Sequence, residues 1–231
     1  MVQKKALVTG GTSGIGLATV SMLLNRGCEV ITISRDPSRV SDLPKNVVCE
    51  ACDVRDREAL ADIFAKHSGI DYLVCAATGG ERAMGPFLEM DLDGYQRSFD
   101  KLWGYTNCVR LAAEHLSSNA AIVLVSGTPA RRAKPGQVSL ASVGGAIEAF
   151  CRTIAPEIVP RRINVVSPGL ISTPMFGSED ERKELLAGAT AGHLIPRPGT
   201  PEEVAEGILF LLENEFVTGT TVDVDGGWLL S

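Results

Sequence analysis

An apolar run at Lys5–Thr9 leads into Thr9-Gly-Gly-Thr-Ser-Gly-Ile-Gly16, and a helical pattern follows that ends near Arg26-Gly27. The chemistry such a loop offers is phosphate binding. Gly10 allows a tight turn, Gly14 lets the backbone approach a pyrophosphate, and Gly16 lets the helix pack closely on the strand. The helix start presents free N–H groups and its positive dipole end to the phosphates. Thr12, Ser13 and Ile15 are assigned to the same cradle. The second apolar run ends Ile33-Ser34-Arg35. An acid there would grip a ribose 2′-OH, but Ser34 is neutral. Arg35 can meet a 2′-phosphate with forked, charge-assisted hydrogen bonds. The expected cofactor is therefore NADP(H) rather than NAD(H), with Asp36 next in the chain as a complication.

Such a loop works only at the end of a strand, and the chain supplies the strands. Lys5–Thr9, Glu29–Ser34, 47–52, 70–77, 121–126, 163–167 and Thr221–Val224 read as strands. Most are continuously apolar, the pattern of parallel strands covered on both faces. Helical patterns separate them at 56–67, 92–116, 138–158 and Pro201–Glu213, the last with Thr200 as N-cap and Glu203 reaching back. Seven strands alternating with helices predict an α/β Rossmann-type doubly wound sheet. The 231 residues are read as one domain, 1–231. Segment 170–199, rich in Gly and Pro, is expected to lie over the carboxyl ends of the strands as a substrate lid.

Composition narrows the partners. A net charge of −6 argues against nucleic-acid binding, which needs a basic face. No apolar run reaches the ~18 residues of a membrane span, and the N-terminal residues lack the pattern of a signal peptide. The expectation is a soluble, cytoplasmic protein. Cys28, Cys49, Cys52, Cys75, Cys108 and Cys151 should then be buried thiols. Cys49 and Cys52 form a C-x-x-C without a second pair, so no metal site is expected.

With these motifs in place, nearly the whole chain resembles the short-chain dehydrogenase/reductase family. Thr9-Gly10, Gly14 and Gly16 match its cofactor loop. Asp53-Val54 matches the pair that the resemblance assigns to the adenine. Asn164-Val-Val-Ser-Pro168-Gly169 with Thr173-Pro174 matches the segment it assigns to the nicotinamide amide. Ala76 and Ile171 are placed with the cofactor on the same basis. Gly199-Thr-Pro-Glu-Glu-Val-Ala205 and Val224-Asp-Gly-Gly-Trp228 match its C-terminal helix and strand. The resemblance implies hydride transfer between the cofactor and a small carbonyl or alcohol substrate. It also implies a homodimer or homotetramer, with Gly144-Gly145-Ala146 permitting close helix approach and the Trp228-Leu-Leu230 tail offering apolar surface.

At the catalytic centre this sequence departs from the family. Ser126 holds the place of the usual Ser. The family's Tyr and Lys fall on Ser139 and Val143, its helical Asn on Lys101, and its Asn-Asn-Ala-Gly on Cys75-Ala-Ala-Thr78. A phenol titrates near pKa ~10 and a serine hydroxyl is far less acidic. General acid–base catalysis is worth roughly 10²–10⁴-fold, so an altered proton donor is expected. Lys101 is the substitute if burial lowers its pKa; the other reading pairs it with Asp100 on the surface. Ser126 either binds a substrate oxygen or caps its strand. Ser139 reads as space-filling more than chemical, and Tyr95, Tyr105 and His193 are weaker proton donors. The loop Arg131-Arg132-Ala-Lys134 is either a solvated turn or a mouth that draws an anionic substrate. The alternative to an oxidoreductase is a catalytically silent cofactor-binding module, or a non-redox enzyme on the same scaffold.

Overall fold

A computed structural model describes residues 3–37, 43–78 and 82–231. Seven strands form one parallel sheet: β1 Lys5–Thr9, β2 Glu29–Ser34, β3 Val47–Ala51, β4 Ile70–Cys75, β5 Leu116–Val125, β6 Arg162–Pro168 and β7 Thr221–Val224. Their order is β3-β2-β1-β4-β5-β6-β7. Chain direction across the sheet reverses between β1 and β4, where Thr9 lies beside Cys75. In open α/β sheets a ligand crevice forms at that point, outside the strands' carboxyl ends.

Strand alternation feeds two cores. Leu7, Ile31, Leu73, Ile122 and Val165 point to one face, packed with Phe64, Tyr105, Cys108, Val143 and Ile147. Those partners come from α2 Arg57–Lys66, α4 Asp100–Ala112 and α5 Val138–Ile154. Ala6, Val8, Val30, Val74 and Val123 point to the other face, packed with Val20, Leu23, Val204 and Ile208. These belong to α1 Gly14–Asn25 and α7 Pro201–Glu213. Strands β1, β2, β4, β5 and β6 are buried along most of their length, as their apolar runs predict, whereas the edge strands β3 and β7 are largely half-exposed.

Three boundaries differ from the sequence reading. The pattern at 92–116 divides into α3 Leu92–Ser98 and α4, hinged at Phe99. Leu116, on the same helical stripe, instead opens β5 opposite Ile70, and the register shifts before Tyr72 meets Ala121. Within 170–199 lies a helix, α6 Glu179–Thr190. It buries only Leu186 and Thr190, so its apolar stripe is faint, although Ser178 and Glu181 form a capping box. Cys49 is only half-buried, because β3 is an edge strand; the other five thiols are buried.

The stretch Val138–Glu157, α5 with the turn that follows, has the length of a membrane span and a mean hydropathy of 1.3. Its Val143, Ile147 and Cys151 pack with Ile163 and Val165 of β6, the behaviour of a core helix.

Candidate functional site

A cavity of about 550 Å³ opens at the carboxyl ends of β1, β4, β5 and β6. Every residue assigned above to cofactor or catalysis lines it: Gly10, Thr12, Ser13, Gly14, Ile15, Gly16, Arg35, Asp53, Val54, Ala76, Pro168, Gly169, Ile171 and Thr173, together with Lys101, Ser126 and Ser139.

The glycine loop is shaped by close backbone approach. A Cβ on Gly10 would lie 2.7 Å from the backbone of Ala77, and Gly10 has φ +74°. A Cβ on Gly16 would lie 2.1 Å from the Gly10 carbonyl oxygen. Helix α1 starts after Ser13, whose side chain makes no capping hydrogen bond, and its first turn holds no acid. Its leading N–H groups are thus left for an anion. Thr12 Oγ1 donates to Ser34 Oγ at 3.0 Å, tying the loop to the end of β2. Beyond it, Arg55 holds Asp53 with a bidentate contact, 2.7 Å at the closer oxygen, and reaches Asp100 at 2.6 Å. The Arg55 contact keeps the Asp53 carboxyl below the usual carboxylate range. Arg55 and Asp100 also line the cavity, and neither was assigned from sequence.

At the far end, α4 delivers Lys101. Its ammonium donates to the Ser126 carbonyl oxygen at 3.2 Å and lies 5.6 Å from the centre of the Tyr105 ring. Asp100, the partner of the surface reading, is engaged by Arg55 instead. Burial pushes the Lys101 ammonium down to about 7, and the nearby Arg82 guanidinium adds to the shift. Ser126 is buried, and its hydroxyl donates to the Gly144 carbonyl oxygen at 3.3 Å. Ser139 is fully buried, and its hydroxyl donates to the Ala83 carbonyl oxygen, which accords with a packing role. Val143 beside it on α5 is buried too.

The remaining proton-donor readings do not survive. Tyr105 is fully buried, donates to the Val125 carbonyl oxygen at 3.2 Å, and burial holds its phenol well above the usual value. Tyr95 donates to Ser142 Oγ and lies outside the cavity lining. His193 stacks on Trp228, with ring centres 5.8 Å apart, and is likewise outside the lining. In the basic loop the two arginines have partners within the fold, while Lys134 is exposed, in line with the solvated reading. Arg131 pairs with Asp223 and Glu148, and Arg132 donates to the Trp228 carbonyl oxygen. Lys134 lies 6.0 Å from the centre of the Trp228 ring. Trp228 is therefore buried under these cations rather than exposed in an apolar tail; Leu230 alone of that tail's large side chains is exposed. Arg82 lines the cavity along with Arg35, Arg55 and Lys101, and sequence reasoning missed it because one arginine in a polar loop reads as solvated.

A model described as enoyl-(acyl carrier protein) reductase matches residues 10–229. Carbonyl reductase family member 4 of Danio rerio is 31% identical over 98% of this chain and 98% of its own. The 3-oxoacyl-(acyl-carrier-protein) reductase FabG of Thermotoga maritima is 32% identical over 98% of each. A solved small-chain dehydrogenase in complex with NADPH superposes with TM-score 0.83 at 25% identity, covering 99% of this chain and 100% of that one.

One prediction follows from the burial of Lys101. The folded-state pKa is depressed below the unfolded ~10.4. Between pH about 7 and that value the unfolded chain binds a proton that the folded chain does not. Stability then rises with pH across that window and is lowest below it. Lys101→Met removes the buried charge and should melt at or above the wild-type temperature at pH 6–7, with the gap narrowing toward pH 10; thermal denaturation across that range checks it. A variant that melts several degrees below wild type at pH 6 would contradict the assignment. Sequence, cavity and relatives agree: the chain belongs to the short-chain dehydrogenase/reductase family.

Proposed function

We propose that the protein is an NADP(H)-dependent oxidoreductase acting on a small carbonyl or alcohol substrate, with Lys101 in place of the family's tyrosine as proton donor. One observation carries the reading: the Lys101 ammonium faces the cavity end of β5, held by a backbone carbonyl rather than by a carboxylate. The chain lacks the Tyr-x-x-x-Lys pair, since Ser139 and Val143 stand in those places.

The site fits the cofactor. Gly10 and Gly16 have no room for a side chain, and the uncapped start of α1 faces the cavity. Thr12, Ser13, Gly14, Ile15 and Gly16 would hold the pyrophosphate, Arg35 the 2′-phosphate, and Asp53 and Val54 the adenine, with Ala76 also in the cavity wall. Pro168, Gly169, Ile171 and Thr173 orient the nicotinamide. The bound cofactor supplies a hydride. Lys101 gives a proton to the carbonyl oxygen in reduction and recovers it in oxidation; a value of about 7 lets it do both near neutrality. Ser126 turns its hydroxyl from Gly144 to the same oxygen. Segment 170–199 covers the site as a lid, its Thr173, Pro174, Met175 and Phe176 already in the cavity wall. The whole of 1–231 works as one domain in the cytoplasm, and exposed Trp103 on α4 supports assembly as a homodimer or homotetramer.

The test is stereospecific transfer of deuterium from labelled NADPH to a panel of ketones and aldehydes. Transfer should occur, should be at least tenfold slower with NADH at sub-saturating cofactor, and should fall roughly 10²–10⁴-fold in Lys101→Met. Tight NADPH binding with no transfer to any carbonyl would instead favour a cofactor-binding module.

A further inference from the structure

At the substrate end of the cavity the polar side chains are already spent on the protein itself. Ser139 donates to the Ala83 carbonyl oxygen, and Thr128 donates to that of Pro168 at 3.3 Å. Ser98 donates to the Gly94 carbonyl oxygen at 2.9 Å and accepts from the Ala83 N–H at 3.0 Å. Lys101 and Ser126 are assigned to the reacting oxygen. The acids among the described lining residues are Asp53 and Asp100, and Arg55 engages both. Arg82 is exposed and keeps its water. Among the described lining residues Gln137 alone has a buried side-chain atom without a hydrogen-bond partner, its Oε1.

The wall between these groups is apolar. Leu140 comes from α5, Leu170 from the segment after β6, and Met175 and Phe176 from the turn Pro174–Phe176; Met84 joins them from the loop after β4. Met84 and Met175 are 53% and 50% exposed, although both line a concave site. Single apolar side chains on a convex surface mean little, but grouped in a cleft they mark surface that a ligand covers.

A ligand hydroxyl gives up hydrogen bonds to water when it enters such a cleft, and each one left unmatched costs about tenfold in affinity. With the wall's hydroxyl hydrogens used internally, one such group can be met at Gln137, not four or five. We propose that the substrate is an apolar ketone or aldehyde: a hydrocarbon body seated on Met84, Leu140, Leu170, Met175 and Phe176, with its carbonyl oxygen at Lys101. A sugar or another polyol would strand most of its hydroxyls against that wall. The thioether chains of Met84 and Met175 adapt to hydrocarbon bodies of different shape. The proposal rests on the oxidoreductase reading for the carbonyl group; the apolar seat does not depend on it.

The test uses the full chain saturated with NADP⁺ and needs no turnover. Calorimetric titration compares cyclohexanol with myo-inositol, which carries five more hydroxyls on the same ring. Cyclohexanol should bind at least tenfold tighter, and affinity should rise about fourfold for each methylene added from cyclopentanol to cycloheptanol. Met175→Ser and Phe176→Ser should each weaken cyclohexanol at least threefold without strengthening or weakening myo-inositol. If Phe176→Ser lowers the melting temperature, the exposed Met175→Ser site decides alone. Equal affinity for the two rings overturns the proposal, as does a series that is flat with ring size or cyclohexanol binding that Met175→Ser leaves intact. A parallel assay with NADPH separates the seat from the reaction. If cyclohexanol binds as expected yet no hydride reaches cyclohexanone or any other ketone, the apolar seat stands and the reductase reading falls. If the pentahydroxy counterpart of cyclohexanone is reduced with a kcat/KM equal to that of cyclohexanone, the reductase reading stands and the apolar substrate falls.

Discussion

The site is organised around one half-buried ammonium group to which the fold gives no carboxylate. Lys101 reaches the Ser126 carbonyl oxygen and the face of Tyr105, and the nearest acid along its helix is committed to Arg55. In that setting the charged form is disfavoured and the proton becomes easy to give up near neutral pH. A serine hydroxyl at 139 could not do this, and its own hydrogen is spent on Ala83. On the proposed reading the chemistry moves from α5, where the family keeps it, to α4. Both helices pack on the same sheet face, so the shift keeps the reacting atoms beside the same cavity.

The parallel sheet makes that placement possible. All seven strands end on one side, and the chain reverses its order between β1 and β4. The gap left there receives the glycine loop from β1 and the loop carrying Arg82 from β4. β5 contributes Ser126 next door, and β6 contributes Pro168 and Gly169. Each strand thus delivers one piece of the wall from its carboxyl end, on a base buried from both faces. Rigid strands below and short loops above are the arrangement in which side chains a hundred residues apart can be held in one geometry.

Much of this is written locally in the chain. Gly10 and Gly16 could be read because backbone contacts leave no room for a side chain, a constraint that shows in sequence as glycine at fixed spacing. The strands could be read because continuous apolar runs record burial on both faces. What sequence hides is the identity of a partner far along the chain. Arg131 and Arg132 look like part of a free basic mouth until Asp223 and Trp228, some ninety residues later, are seen beneath them. Arg82 is exposed, and nothing local in the chain tells that it stands near Lys101. Whether Lys101 pairs with Asp100 or turns inward is likewise a matter of what Arg55 does from another element. α6 escaped notice because it buries two residues, too few to make a stripe, although the Ser178-x-x-Glu181 box was there to be read.

The claim that Lys101 supplies the proton is tested most directly by the pH dependence of kcat/KM for carbonyl reduction with NADPH, measured in wild type and Lys101→Met. The protonated amine is the active form. The wild-type rate should hold level below pH 7 and fall about tenfold for each unit above it, while the residual rate of Lys101→Met should be flat over that range. A wild-type profile that is flat from pH 6 to 9, or a variant that keeps the wild-type profile, would place the proton donor elsewhere.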